Sequence, residues 1–330
     1  FYGSLDDNSS YRKLKYKAGF IEDFEFFDNE FWNISYKEAL VTDPQQRVLL
    51  GAVLKAVTDA GIRLEDLAGR KVGVFTAATT DDYYSLVSGN GLLSDPKRLT
   101  GNYHCFIANR ISFMFDLHGP SENIDTACSS GIVACHRARQ ALLDMECDIA
   151  VVAGVNVIAI PETFLSLERS NMLSATDACH SFSSEADGYA RSEGAGVLIL
   201  KTYDDAVKDD DHIYASICGS AVSHSGRTGG ITTPDIDSLS DVIYDAWKDS
   251  GEFIGENTFI ELHGTGSVIG DSIEYTALES SIRHMEHDSG RTLAPGSVFV
   301  GTLKPVIGHL EAASGIVEII KAVVQMNNDT

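Results

Sequence analysis

The chain has 330 residues, 44% of them hydrophobic and only 7 of them proline, which is enough for a large core and too apolar for a disordered tail. Lys and Arg number 25 against 48 Asp and Glu; a formal charge of −23 has the wrong sign for a nucleic-acid partner or a lipid surface, since both select basic proteins. Six cysteines, none at CxxC spacing, exclude a zinc ribbon or thioredoxin motif and point to the reducing cytoplasm, and no apolar run reaches the length of a membrane span.

Residues 1–40 are aromatic and charged, and the densest basic run is Tyr11-Arg12-Lys13-Leu14-Lys15-Tyr16-Lys17. A helix follows: Asp43 suits the N-cap, Pro44 the first helical position, and Val48, Leu49, Val53, Leu54, Val57 and Ala60 recur at helical spacing up to a Gly61 stop. Strands are then predicted at 71–76, 122–126, 148–154 and 195–201, and again at 212–218, 258–262 and 297–303. Between them, helical patterns fill 130–145, 238–249, 272–284 and 310–326. Such alternation predicts an α/β fold with largely parallel sheets, and the acidic stretch 204–211 is the best seam between two halves. One echo supports duplication. Ser130-Gly131-Ile132-Val133 and Ser314-Gly315-Ile316-Val317 each open a helix after a strand, and their small residues predict two helices packed closely together.

The chemistry-bearing residues sit at strand-to-helix junctions, where open α/β sheets bind ligands. Cys128, in Asp125-Thr126-Ala127-Cys128-Ser129-Ser130-Gly131, is placed where a helix N-terminus should lower a thiol's pKa and its free N–H groups could hold an oxyanion. Cys105, Cys135, Cys147, Cys179 and Cys218 read as small buried hydrophobes. His263 ends a strand and leads into Gly264-Thr265-Gly266-Ser267; His309 closes Lys304-Pro305-Val306-Ile307-Gly308-His309. Rival motifs fail: Gly264, Gly266 and Gly270 lack dinucleotide spacing, and there is no P-loop, HExxH or GxSxG. A zinc site from Cys128, His263 and His309 would have no second cysteine or carboxylate at ligand spacing.

Taken together, these motifs resemble those of a β-ketoacyl synthase of the thiolase superfamily. They are most similar to the ketosynthase domain of a type I polyketide synthase of the fungal, iterative, highly reducing kind. The likeness runs through Ala18-Gly19-Phe20, Asp43-Pro44-Gln45-Gln46-Arg47, Asn109-Arg110-Ile111-Ser112, the Cys128 motif, Asp187-Gly188-Tyr189-Ala190-Arg191-Ser192-Glu193-Gly194, Gly226-Arg227-Thr228 and the two histidine motifs. The resemblance implies a five-layered α-β-α-β-α sandwich of two similar halves, 1–205 carrying Cys128 and 206–330 carrying the two histidines. It also implies that the chain is truncated at both ends, without the glycine-rich loop that gives the family its second oxyanion donor.

The implied reaction is decarboxylative Claisen condensation of malonyl-carrier protein with an acyl chain held on Cys128. Catalytic roles fall on Cys128, His263 and His309, a supporting role on Lys304, pantetheine or acyl contacts on Thr265, Ser267 and Met172, and no metal or resident cofactor is needed. Implied partners are an acyl carrier protein delivering substrate on phosphopantetheine, a second copy in a homodimer, and the rest of a multidomain synthase. Arg12, Lys13, Lys15 and Lys17 are a candidate patch for an acidic carrier. Pro305-Val306 stand where the family has a small polar residue and Asn, which puts the placement of Lys304 and His309 in question and leaves a non-condensing acyl-transfer variant as one alternative; the implied truncation leaves an inactive docking fragment as the other.

Overall fold

The computed structural model describes residues 16–89, 95–255 and 258–328. Helix α1 (Pro44–Asp59) begins as its sequence predicts, with the Asp43 carboxylate accepting the Gln45 N–H at 2.8 Å and Pro44 in the first turn. It lies beside α2 (Cys105–Met114) on one face of a four-stranded sheet. The strands are β1 (Val72–Ala77), β2 (Ser121–Ile124), β3 (Ile149–Asn156) and β4 (Gly194–Leu200), in the order β2-β1-β3-β4. β1 pairs in parallel with β2 and β3, and β4 joins antiparallel at the edge.

Strands β1 and β3 are buried along their whole length, so each sends alternate residues to two different cores. Val72, Val74, Ile149, Val151, Ala153 and Val155 meet Leu49, Leu50, Val53 and Ile111 on the α1–α2 side. Phe75, Ala77, Ala150 and Val152 meet Ala134, Ala138, Leu142 and Ile316 on the other.

That second face is covered by α3 (Ser130–Leu143) and, from the far end of the chain, α6 (Ser314–Asn327). The repeated Ser-Gly-Ile-Val openings are where these two helices touch. A Cβ on Gly131 would lie 2.9 Å from the Ile316 nitrogen, and one on Gly315 would lie 2.8 Å from the Ile132 nitrogen. Only hydrogen fits at either point. Beyond α6 come β5 (Thr258–Glu261) and β6 (Val298–Gly301), a parallel pair, and then α4 (Ile236–Ser250) packed on α5 (Gly270–Ser289). The layer order is therefore helix, sheet, helix, sheet, helix.

One expected strand is absent. Residues 212–218 are exposed and have no strand partner among the described residues. Side chains meet some of their carbonyls instead, Asn327 at Tyr214 and Arg139 at Cys218. A β-prone run becomes a strand only beside another strand that can complete its ladder. Cys218 is consequently exposed rather than buried, and Cys105, at the first turn of α2, is exposed too; Cys135, Cys147 and Cys179 are buried as expected. Of the basic run, Arg12, Lys13 and Lys15 lie outside the described residues, while Lys17 is exposed.

Candidate active site

Cys128 sits in a turn between β2 and α3 that its neighbours stitch shut. The Ser130 hydroxyl accepts the Thr126 N–H at 2.8 Å and donates to the Ala127 carbonyl at 2.6 Å, and the Ser129 hydroxyl donates to the Thr126 carbonyl at 2.8 Å. Ala127 is forced to φ +56°, a left-handed conformation that costs a non-glycine residue about 1–2 kcal/mol. Strain of this kind, held by the buried Ser130 hydroxyl and the exposed Ser129 hydroxyl, aims the next side chain outward from the sheet edge.

His263 leaves the end of β5, and its loop is pinned from α5. The Glu274 carboxylate accepts the His263 N–H at 2.6 Å and the Gly264 N–H at 2.9 Å, and Asp271 accepts the Gly266 N–H at 3.2 Å and the Phe182 N–H at 2.8 Å. His309 is buried; its backbone is clamped by Ala190 and Ser192 at 2.8 and 2.9 Å, and the Tyr189 ring lies edge-on, 5.0 Å between centroids. The two imidazoles stand 5.4 Å apart at 84°, and together with the Cys128 sulfur their ligand atoms lie within 4.8 Å of one another. Three groups from residues 128, 263 and 309 thus converge on one point.

Lys304 is 2% exposed beneath them and pairs with Glu318 of α6. Pro305 falls in the first turn of a short helix, Lys304–Ile307, where no N–H is required, and the Gly308 N–H still reaches the Lys304 carbonyl at 2.9 Å. Val306 is 79% exposed and needs no hydrogen-bond partner. Neither departure therefore removes a hydrogen bond that this turn makes.

Electrostatics set the resting protonation states. Burial pushes the Cys128 thiol above its usual pKa, against the opposing pull of the Lys304 ammonium. This corrects the expectation that the helix would lower it. Ser129 holds the N-cap position of α3, so the sulfur stands before the first turn, and desolvation is the largest influence on the thiol there. Burial and then the neighbouring positive groups hold His309 well below 6.5. His263 opens to solvent on one side, yet the protein packed around its ring, and then Lys304, lower its pKa as well. Both rings are neutral at pH 7. The tautomer of His309 follows from geometry, because its Nδ1 accepts the Glu311 N–H at 3.0 Å and the ring proton must therefore be on Nε2.

Of the remaining expected residues, Ser267 is engaged locally: its hydroxyl accepts the Gly270 N–H at 3.3 Å, which leaves its own proton free to donate. Thr265 is half-buried in the same loop. Met172 is 42% exposed, and its carbonyl accepts the Tyr189 N–H at 3.0 Å. Sequence reasoning did not single out Glu318, Glu274, Asp271 or the Arg191–Glu311 pair as parts of the site. Glu318 had a signal, a lone acid inside the apolar run Ile316–Ile320. The same three ligand atoms stand at a spacing a metal ion would accept, but the ammonium of Lys304 beside them opposes a cation.

The fold is of the thiolase-like class, with one cysteine and two histidines brought together at its site. Residues 3–206 match the β-ketoacyl synthase N-terminal domain and residues 214–330 its C-terminal domain, so the chain belongs to the β-ketoacyl synthase family. It is 39% identical over 313 residues to polyketide synthase PksN of Bacillus subtilis, and 40% over 302 residues to highly reducing polyketide synthase 19 of Pyricularia oryzae. These matches cover 95% and 91% of this chain but only 6% and 11% of the relatives. Among solved structures it is similar to the ketosynthase from module 6 of the B. subtilis bacillaene synthase, with TM-score 0.85, 37% identity, and 93% of this chain against 52% of that one. An oxazolomycin ketosynthase domain of Streptomyces albus aligns at TM-score 0.87 and 33% identity, over 93% of this chain and 54% of that one. The chain thus resembles ketosynthase domains of polyketide synthases and spans about half the length of these two solved ones.

Proposed function

We propose that Cys128 takes an acyl chain from a carrier's phosphopantetheine thiol and that His263 and His309 then drive decarboxylative condensation upon it. In the first half-reaction the Cys128 sulfur, giving up its proton, attacks the carrier thioester. The Cys128 N–H holds the tetrahedral oxyanion, and the pantetheine thiol leaves with a proton. In the second, malonyl-carrier loses CO2, and the electron pair of the broken C–C bond becomes an enolate. The enolate oxygen accepts hydrogen bonds from the His309 Nε2–H and from neutral His263. Its carbon attacks the Cys128 thioester, and collapse expels the thiolate, leaving a β-ketoacyl-carrier. Lys304 holds the charge balance of this cluster, Thr265 and Ser267 bond the pantetheine amides, and Met172 lines the acyl path.

The observation that carries the reading is the neutral His309, its Nδ1 occupied by a backbone donor and its ring within the cluster whose ligand atoms lie within 4.8 Å of one another. A neutral donor suits an enolate that must form and then be released to attack, whereas a general base would need a protonatable ring. In this reading the chain divides into halves 1–205 and 206–330, works in the cytoplasm as a homodimer within a multidomain synthase, and receives an acidic carrier at Arg12, Lys13, Lys15 and Lys17. Its test is mass spectrometry after incubation with an acyl-carrier thioester. The acyl mass is expected on the Cys128 peptide; an adduct on another cysteine, or none, contradicts it.

A further inference from the structure

His309 depends on a contact two residues downstream, and that contact is made by a residue in an unusual conformation. Glu311 has φ +48°, left-handed for a residue with a side chain. Its N–H reaches His309 Nδ1 at 3.0 Å. The other neighbour of Nδ1, the Ser314 hydroxyl at 2.9 Å, can donate or accept and so tolerates either tautomer. A backbone N–H can only donate. The tautomer of His309 is therefore specified by the Glu311 amide and by nothing else recorded around that nitrogen.

What keeps Glu311 left-handed is its side chain. Arg191, fully buried, holds the carboxylate with a two-point fork, Nε to Oε1 at 2.7 Å and Nη2 to Oε2 at 3.1 Å. The guanidinium is itself fixed from two further sides: it stacks 4.7 Å over the Phe164 ring, and the carboxylate of Asp82, 6% exposed, attracts it. The Arg191 backbone is bracketed by the bonds from His309 to Ala190 and from Ser192 to His309, so the fork and the imidazole share one rigid frame. Released from the fork, residue 311 would relax toward the right-handed region and turn its N–H away.

We propose that the buried Arg191–Glu311 ion pair is a positioning device, which holds Glu311 left-handed so that its amide fixes the Nε2–H tautomer of His309. The consequence for catalysis rests on the reading that His309 donates to the enolate. Two substitutions separate backbone geometry from charge: Glu311→Ala removes the tether and keeps the left-handed penalty, whereas Glu311→Gly removes the tether and the penalty together. The tautomer is read by 15N NMR of the histidine-labelled chain, and CO2 release and Cys128 acylation by assay of the longer synthase carrying the same change. The wild type should show Nδ1 unprotonated. Glu311→Ala should show mixed tautomers and CO2 release down about tenfold, in step with the fraction of competent rings, with acylation kept; Glu311→Gly should recover most of both. Should Glu311→Ala fail to fold, Arg191→Lys, which keeps the charge without the fork, is expected to give the mixed tautomer in its place. An unchanged tautomer in Glu311→Ala, or a glycine variant no better than alanine, overturns the positioning role. A shifted tautomer with CO2 release unaltered leaves the positioning intact and refutes the enolate donor instead.

Discussion

Replacing Lys304 by Met puts the largest load on a single contact of the site. Lys304 is 2% exposed, and its partner Glu318 is 15% exposed. Removing one member of a buried ion pair strands the other, at about 3–5 kcal/mol. The stranded carboxylate can escape by taking up a proton, and burial already holds the Glu318 pKa above the ordinary carboxylate value. With the folded pKa above the unfolded one, the folded state binds more protons between the two, so stability falls as pH rises through that window. Loss of the ammonium lifts the Glu318 pKa further. Urea unfolding of Lys304→Met should thus show a larger deficit against wild type at pH 8 than at pH 5. The double variant Lys304→Met, Glu318→Gln should recover much of it at pH 8. Equal deficits at both pH values, with strictly additive single and double variants, would refute the claim that an uncompensated Glu318 charge is what Lys304 prevents.

Three more outcomes follow. Because burial raises the Cys128 thiol pKa, its alkylation by iodoacetamide should still be accelerating above pH 9, and exposed Cys105 and Cys218 should react first at pH 7; mass-mapped rates that plateau for Cys128 below pH 8 would contradict this. Gly131→Ala drives a methyl to 2.9 Å from the Ile316 backbone nitrogen, which should cost about 1–3 kcal/mol of stability, measured as a lowered Tm; an unchanged Tm would mean that α3 and α6 can separate freely. Reversing the charges of Arg12, Lys13, Lys15 and Lys17 should slow acyl transfer from an acidic carrier more at low salt than at high salt; equal rates at both remove that patch as a docking surface.

Much of this was legible in the sequence wherever a local rule and a tertiary need coincide. Asp43-Pro44 starts a helix by its own chemistry, and the paired Ser-Gly-Ile-Val openings announced two helices whose backbones meet at Gly131 and Gly315. Cys128, His263 and His309 were visible because each falls between a predicted strand and a predicted helix. The protonation of the site was not. A helix end near Cys128 suggests a lowered thiol pKa, but the sign is decided by how much protein surrounds the sulfur, which no local pattern records. The pins of the histidine loop were equally hidden: Asp271 looks like an ordinary first-turn acid and Glu274 like any other acid of that helix, and Arg191 and Glu311 are 120 residues apart. Residues 212–218 erred the other way, with a strand's composition and no strand beside them among the described residues.

The central claim is that Cys128 carries the acyl chain while His309 serves decarboxylation, and one paired measurement on the longer synthase tests it most directly. Labelled acyl transfer and CO2 release from malonyl-carrier are followed for the wild type and for His309→Ala. Losing one donor to a developing oxyanion costs about 3 kcal/mol, a hundredfold or more in rate. His309→Ala should therefore retain acylation of Cys128 while CO2 release falls by that factor. If the variant releases CO2 at the wild-type rate, His309 is structural and the condensing mechanism must be assigned elsewhere.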